Sequence, residues 1–187
     1  SVVMMSLYTL GANMQLAAAT TEARIASQDD VRIGMQIIGR ELRQATIASL
    51  GANIFPSATL SYQRAADLDG NGFPVDKNIA LEVTPIRIIA RDVDDLNHDG
   101  RTRDQVVAVL DKTVRVIANG VLIDEDTNDN GTLDDGEDGN RNNRLDRGLW
   151  FESTGTGVFV TLQSQRGFGP RGHAQMSTLT SLLHPRN

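Results

Sequence analysis

The stretch from Asp124 to Asp146, DEDTNDNGTLDDGEDGNRNNRLD, carries eight acidic side chains by Asp138 with neither Lys nor Arg among them. Carboxylates this dense repel one another unless a cation gathers them, and their spacing is that of ligands. Asp126, Asn128 and Asn130 stand at alternate positions, Gly131 permits a sharp turn, and Thr132 offers its carbonyl. Asp134 follows, and Glu137 stands where a carboxylate can close the shell with both oxygens. The pattern D-x-[DN]-x-[DN]-G-x5-E is met without a departure. An oxygen-only set of this kind suits calcium better than magnesium or a transition metal.

The pattern then repeats with a period of twelve, Glu125, Asp126, Asn128, Asn130, Leu133 and Asp134 recurring as Glu137, Asp138, Asn140, Asn142, Leu145 and Asp146. Arg144 takes the place of Thr132, and Asn143 that of Gly131, which Asn tolerates because it enters the left-handed region. This second loop has no Glu at its final position, so a weaker site, or one sharing carboxylates with the first, is expected. Two shorter relatives precede it: Asp67, Asp69, Asn71 and Gly72 with Asp76, and Asp95, Asn97, Asp99 and Gly100 with Asp104. The competing reading of each is a solvated Asx turn, which such residues favour for backbone reasons. An EF-hand proper needs a helix on each side, whereas the flanks VLI and LWFES read as strands, so the loops are expected to be structural and not sensory.

Other chemistry is thinly represented. There are no cysteines, so thiol chemistry, disulfides and Cys-based zinc sites are excluded. His98, His173 and His184 lie far apart and form no spaced ligand pair. The stretch from Gly167 to Gly172 satisfies GxGxxG, but Pro170 sits inside it and no helix start follows. No nucleophile elbow or phosphate loop is present, and we expect neither an enzyme nor a small-molecule substrate. A net charge of -6 with scattered basic residues argues against a nucleic-acid partner.

The elements that must carry these loops fall into two kinds. No charge occurs before Glu22, and from Thr20 onward Met35, Ile38, Leu42 and Ala45 recur at helical spacing, with Glu22, Arg24, Asp29, Arg32, Arg40, Glu41 and Arg43 left to face water. With no proline before Pro56, one helix could run to about Thr46, roughly 70 Å at 1.5 Å per residue. The apolar opening contains Gly11, Asn13 and Gln15 and makes a poor free-standing membrane span. It also lacks the basic start of a signal peptide. After Pro56, β-branched runs alternate with turn residues; Asn119-Gly120 reads as a hairpin turn, and TGTG at 154–157 as a second join between strands.

An apolar segment running into a polar helix and then a β-rich body is the layout of type IV pilin-like proteins. Within that class, SLYTLGANMQLAAATTEARIASQDDVRIGMQIIGRELRQA resembles the helix of PilW-type minor pilins and of the J-type pseudopilin of type II secretion, above all in GRELRQA. The finish, GVFVTLQSQRG and a run of Ser, Thr and Leu closing on RN, is similar too. The resemblance implies an α+β, pilin-like fold: a long N-terminal helix packed on a mostly antiparallel sheet, with calcium-binding loop insertions. Residues 1–48 would form the helix, with 1–20 as the apolar part and 21–48 as the amphipathic part, and 49–187 the β-rich domain. Ser1 is expected not to be the natural mature terminus, because the chain opens inside the apolar segment.

The partners implied are other pilin or pseudopilin subunits, met through Met4, Met5, Leu7, Leu10 and Leu16, and the inner membrane before assembly. The place implied is an extracellular filament or the periplasm. The rival reading is a calcium-dependent adhesin or dockerin-like module, although dockerins place a helix after each calcium loop and the twelve-residue repeat leaves no room for one.

Overall fold

The structure is a computed structural model, and it describes residues 2–128, 130–139, 141–168 and 173–185. Its longest element is α1 (Val2–Leu42), followed by a single turn, α2 (Ile47–Leu50). Seven strands come next: β1 (Leu60–Tyr62), β2 (Arg87–Arg91), β3 (Gln105–Leu110), β4 (Thr113–Asn119), β5 (Leu149–Ser153), β6 (Val158–Phe168) and β7 (His173–Leu183). All named pairings are antiparallel, so the α+β expectation holds, but the strands form two sheets instead of one, β1-β2-β3-β4 and β5-β6-β7. The helix stops at Leu42, short of Thr46, because Ala45 and Thr46 are taken into pairing with the residues just after β1: Ala45 bridges Arg64, and Thr46 donates its amide to the Gln63 carbonyl.

One apolar core serves both sheets. Val31, Met35, Ile38 and Leu42 come from α1 at helical spacing. They meet Ile89, Val106 and Ile117 of the first sheet and Leu149, Phe151, Val160 and Leu162 of the second. Close approach is built in at Gly34, where a β-carbon would lie 2.7 Å from the Leu162 side chain and 2.8 Å from that of Ala118. Ser27 donates to the Ser164 carbonyl at 3.2 Å, and Arg166 grips Asp30 at 2.6 Å, so α1 is also pinned to β6 by polar contacts. N-terminal to Ser27 the helix leaves the body: Met4, Met5, Tyr8, Leu10, Met14 and Leu16 are all exposed. Among the described residues, no helix is long and apolar enough to cross a membrane.

Asn119-Gly120 is not a hairpin turn. The β3–β4 hairpin closes eight residues earlier, at Asp111-Lys112, with Asp111 at φ 52°. Gly120, at φ 65°, instead passes the chain from one sheet to the other, where Val121 bridges Ser164 on β6. β6 is long enough to pair with β5 along its first half and to receive this crossing strand above it. The TGTG join is as expected, linking β5 to β6 with Thr154 donating its amide to the Gly157 carbonyl. Gly167 lies within β6, paired with Ala174 of β7, so the start of GxGxxG is strand and not a phosphate-binding turn; its residues 169–172 lie outside those described.

Glu41, read as a solvent-facing residue, is buried. Its Oε2 accepts from the Tyr62 hydroxyl at 2.7 Å and from Arg64, tying the end of α1 to β1. Burial works to raise the Glu41 carboxyl, but the bonds from Arg64 and Tyr62 outweigh it and hold the group below its ordinary value. Burial and the carboxylate beside it push the Tyr62 hydroxyl well up. A depressed carboxyl adds stability above its unfolded value of about 4.3, and that stability is lost as pH falls through the folded value. Glu41→Gln should therefore melt lower than the parent at pH 7, and thermal unfolding from pH 7 to pH 3 should show the gap narrowing only below about pH 4.

Candidate metal loops

Four loops share one backbone cage. In the 126–131 loop, Asp126 Oδ1 accepts the Asn130 amide at 2.9 Å and Oδ2 the Gly131 amide at 2.9 Å. Asn130 Oδ1 then accepts the Thr132 amide at 2.8 Å. The 67–72 loop repeats this with Asp67 on Asn71 and Gly72, and Asn71 on Phe73. The 95–100 loop does so with Asp95 on Asp99 and Gly100, and Asp99 on Arg101. In the 138–143 loop, Asp138 takes Asn142 and Asn143, and Asn142 takes Arg144.

Backbone handedness repeats as well. The sixth residue is left-handed in all four loops: Gly72 at φ 91°, Gly100 at 80°, Gly131 at 80° and Asn143 at 56°. So is the fourth where it is described: Gly70 at 76°, His98 at 58° and Arg141 at 60°. Asn143 thus adopts the conformation its sequence position requires, and exposed His98 is a turn residue. Asp129 and the candidate ligand Asn140 lie outside the described residues.

What closes each cage is less regular. Glu137 Oε1 accepts both the amide and the hydroxyl of Thr127, the second residue of its loop, at 2.9 and 2.6 Å, and its Oε2 accepts the Asp134 amide at 3.1 Å. Asn128 and Asn130 both donate to Asp134 at 2.9 and 2.7 Å. These bonds hold the carboxyls of Asp134 and Glu137 below their ordinary values, so both stay ionised. In the 67–72 loop the amide of the second residue, Leu68, goes to Glu82, which arrives from a distant bridge-forming segment. The oxygens of Asp67, Asp69 and Glu82 lie within 4.8 Å of one another, and this trio could hold a metal ion. Asp76 is placed otherwise: its Oδ1 takes the amides of Asn78 and Ala80 within its own turn. Asp104 pairs with Arg101, and it is Asp92 that accepts the amide of Leu96, the second residue of the 95–100 loop.

The loop without a terminal Glu borrows one. Glu125 Oε2 accepts the Asp146 amide at 3.1 Å, the same bond that Glu137 makes to Asp134 twelve residues earlier. A β-carbon on Gly139, the second residue here, would sit 3.7 Å from Glu125 Oε1. Glu125 therefore occupies for the 138–143 loop the station that Glu137 occupies for the 126–131 loop. The period of twelve placed Glu125 and Glu137 in register, which was the signal for this role; Glu82 and Asp92 have no such signal, because each reaches its loop through the sheet.

Two arginines fix the loops to the body. Arg91 Nη2 donates to Asp124 Oδ2 at 3.0 Å and to the Arg147 carbonyl at 2.6 Å. Arg147 bonds Asp126, whose side chain is fully buried, and stacks 3.8 Å from the centre of the Trp150 ring. Burial pushes the Asp124 carboxyl up, with Arg91 opposing it. Between the acidic segment and the end of β6 lies a cleft of about 660 Å³ lined by Asp104, Glu125, Glu137 and Arg166, and each of these charges is already engaged with another group.

If Asn143 is retained for its left-handed backbone, Asn143→Val should lower stability by about 1–2 kcal/mol while Asn143→Gly changes it by no more than about 0.5 kcal/mol, as read by thermal unfolding. No family model matches this chain, and no curated protein or solved structure matches it.

Proposed function

We propose that this chain is a structural subunit of a type IV pilus-like or type II secretion filament, a minor pilin or pseudopilin, whose surface loops are braced by calcium. The observation that carries the reading is the division of α1. From Val31 to Leu42 its apolar residues are buried in the core, whereas Met4, Met5, Tyr8 and Met14 are each more than half exposed on a helix with no covering element among the described residues. A helix face of this size left bare on a monomer calls for other helices. In the proposed filament, like segments of neighbouring subunits supply them, with the flexible Met side chains adapting to unlike partners.

The acidic loops support the calcium part of the reading. Their shared cage turns side-chain oxygens inward and commits the amides, and the carboxyls of Asp67, Asp99, Asp134 and Glu137 are all held below their ordinary values. A divalent ion would relieve the repulsion that remains. A dockerin-like module is less well supported: among the described residues no helix follows any of the four loops. A carboxylate enzyme has little to recommend it when Asp104 and Glu137, which line the cleft beside the acidic segment, are already paired.

The filament reading is tested by comparing the full chain with one lacking residues 1–20 in sedimentation velocity. The full chain should associate and the shortened one remain a monomer; two monomers with equal detergent independence would refute the assembly role. The calcium reading is tested by thermal unfolding in EDTA and in calcium, with magnesium as control. At a hundred times the dissociation constant one site adds about 2.7 kcal/mol, and Asp126→Ala and Glu137→Ala should each remove part of the shift.

A further inference from the structure

We propose that the free edge of β7 is a docking strand whose occupant is the same edge of a second copy of this chain, the two pairing antiparallel about Thr180. The inference does not rest on the filament reading and uses none of the helix face which that reading assigns. It begins from how the sheet edges are finished. An open edge presents unpaired amides and carbonyls to any other chain, and folded proteins cover or charge such edges. β1 is covered: the Asn53 side chain accepts the Ser61 amide at 2.7 Å and donates to the Ser61 carbonyl at 2.7 Å. β5 is covered by Ser57, which exchanges main-chain bonds with Phe151 at 3.0 and 2.8 Å. β4 carries the exposed charge of Arg115 in mid-strand. Among the described residues, β7 has none of these devices.

β7 runs in unbroken register with β6 from His173 to Leu183, with neither a charge nor a proline in 174–183. Which of its residues face the open side follows from the alternation along β6. Gln163 donates its amide to the Gly148 carbonyl and accepts the Leu122 amide, and Gln165 donates to the Gly120 carbonyl, all on the side away from β7. The residues between and before them, Ser164 and Leu162, therefore bond β7 through Ser177 and Leu179. Thr178, Thr180 and Leu182 then aim their amides and carbonyls outward, and all three are exposed. No described segment pairs with them.

The lack of charge selects the occupant. A strand paired with its own copy sets like charges against one another wherever it carries them, and here there are none to repel. A two-fold centred on Thr180 matches all three outward residues, Thr180 with its counterpart and Thr178 with Leu182. Threonines suit such opposition, and one pair is already present on this face, the hydroxyls of Thr161 and Thr180 lying 3.0 Å apart. Leu179 and Leu182 lie on opposite faces of the strand yet are each 39 % exposed, so an added strand covers apolar surface on both sides. The three-stranded sheet then continues without a break into that of the second copy.

The chain contains no cysteine, so single introduced thiols report the pairing directly. Opposed residues of a hydrogen-bonded pair stand about 5.5 Å apart, within reach of a disulfide. Under mild oxidation of the full chain, Thr180→Cys should form a disulfide-linked dimer, and Glu152→Cys, exposed on β5 two strands in from the edge, should not. Thr180→Lys sets two ammonium groups face to face while leaving the bonds to β6 in place. It should lose the pair in sedimentation velocity with its far-UV circular dichroism unchanged; should it fail to fold, Thr178→Lys is read by the same outcomes. Cross-linking at Thr180→Cys no stronger than at Glu152→Cys, or an association that Thr180→Lys leaves untouched, overturns the proposal. Leu10→Cys separates it from the filament reading. Cross-linking there and not at Thr180 removes the β7 pair and leaves the helix-borne assembly standing, whereas cross-linking at Thr180 alone upholds the β7 pair and counts against the helix.

Discussion

The burial of one stripe of α1 is the constraint on which everything else rests. Val31, Met35, Ile38 and Leu42 face both sheets at once, so the sheets are held to a common core although their strands are hydrogen-bonded as separate sets. Without that stripe the main links between them would be the crossing at Val121 and Ser164 and the bridge from Ser57 to Phe151. Gly34 brings helix and sheet to a distance that a larger residue would forbid, and Asp30 with Arg166 and Glu41 with Arg64 fix the helix against sliding at two heights.

Much of this architecture was legible. The 3.6-residue period from Thr20 onward marked the buried stripe, and the β-branched runs marked most strands, because both signals come from burial itself. The errors have physical causes. Asn119-Gly120 has the composition of a hairpin turn, but a positive φ serves a crossing between sheets equally well, and local sequence does not say which. Glu41 reads as a surface charge, since its partners, Tyr62 at the end of β1 and Arg64 just beyond it, are met by the helix only after folding.

The loops divide in the same way. Their cage is local, made of side chains accepting amides two to five residues ahead, so spacing alone located Asp67, Asp95, Asp126 and Asp138. Closure is not local in two of them. Glu82 reaches Leu68 through strand-like pairing between segments, and Asp92 is positioned by the β2–β3 pairing that also sets Gln105. A template that looks only downstream of the glycine passes over both.

The neck of the acidic insertion has a consequence for how such a surface can change. Glu125 donates its amide to the Asp146 carbonyl at 3.0 Å, and Asp146 returns its own amide to the Glu125 side chain, so the two ends of the insertion are clasped together where it leaves the body. Strands β4 and β5 therefore see the same pair of exits whatever lies between. A further twelve-residue unit, spliced between Glu137 and Asp138, would lengthen the projection without altering the register of either sheet. The fold can thus extend its reach one repeat at a time, as a cassette grows, while the core that holds the helix stays as it is.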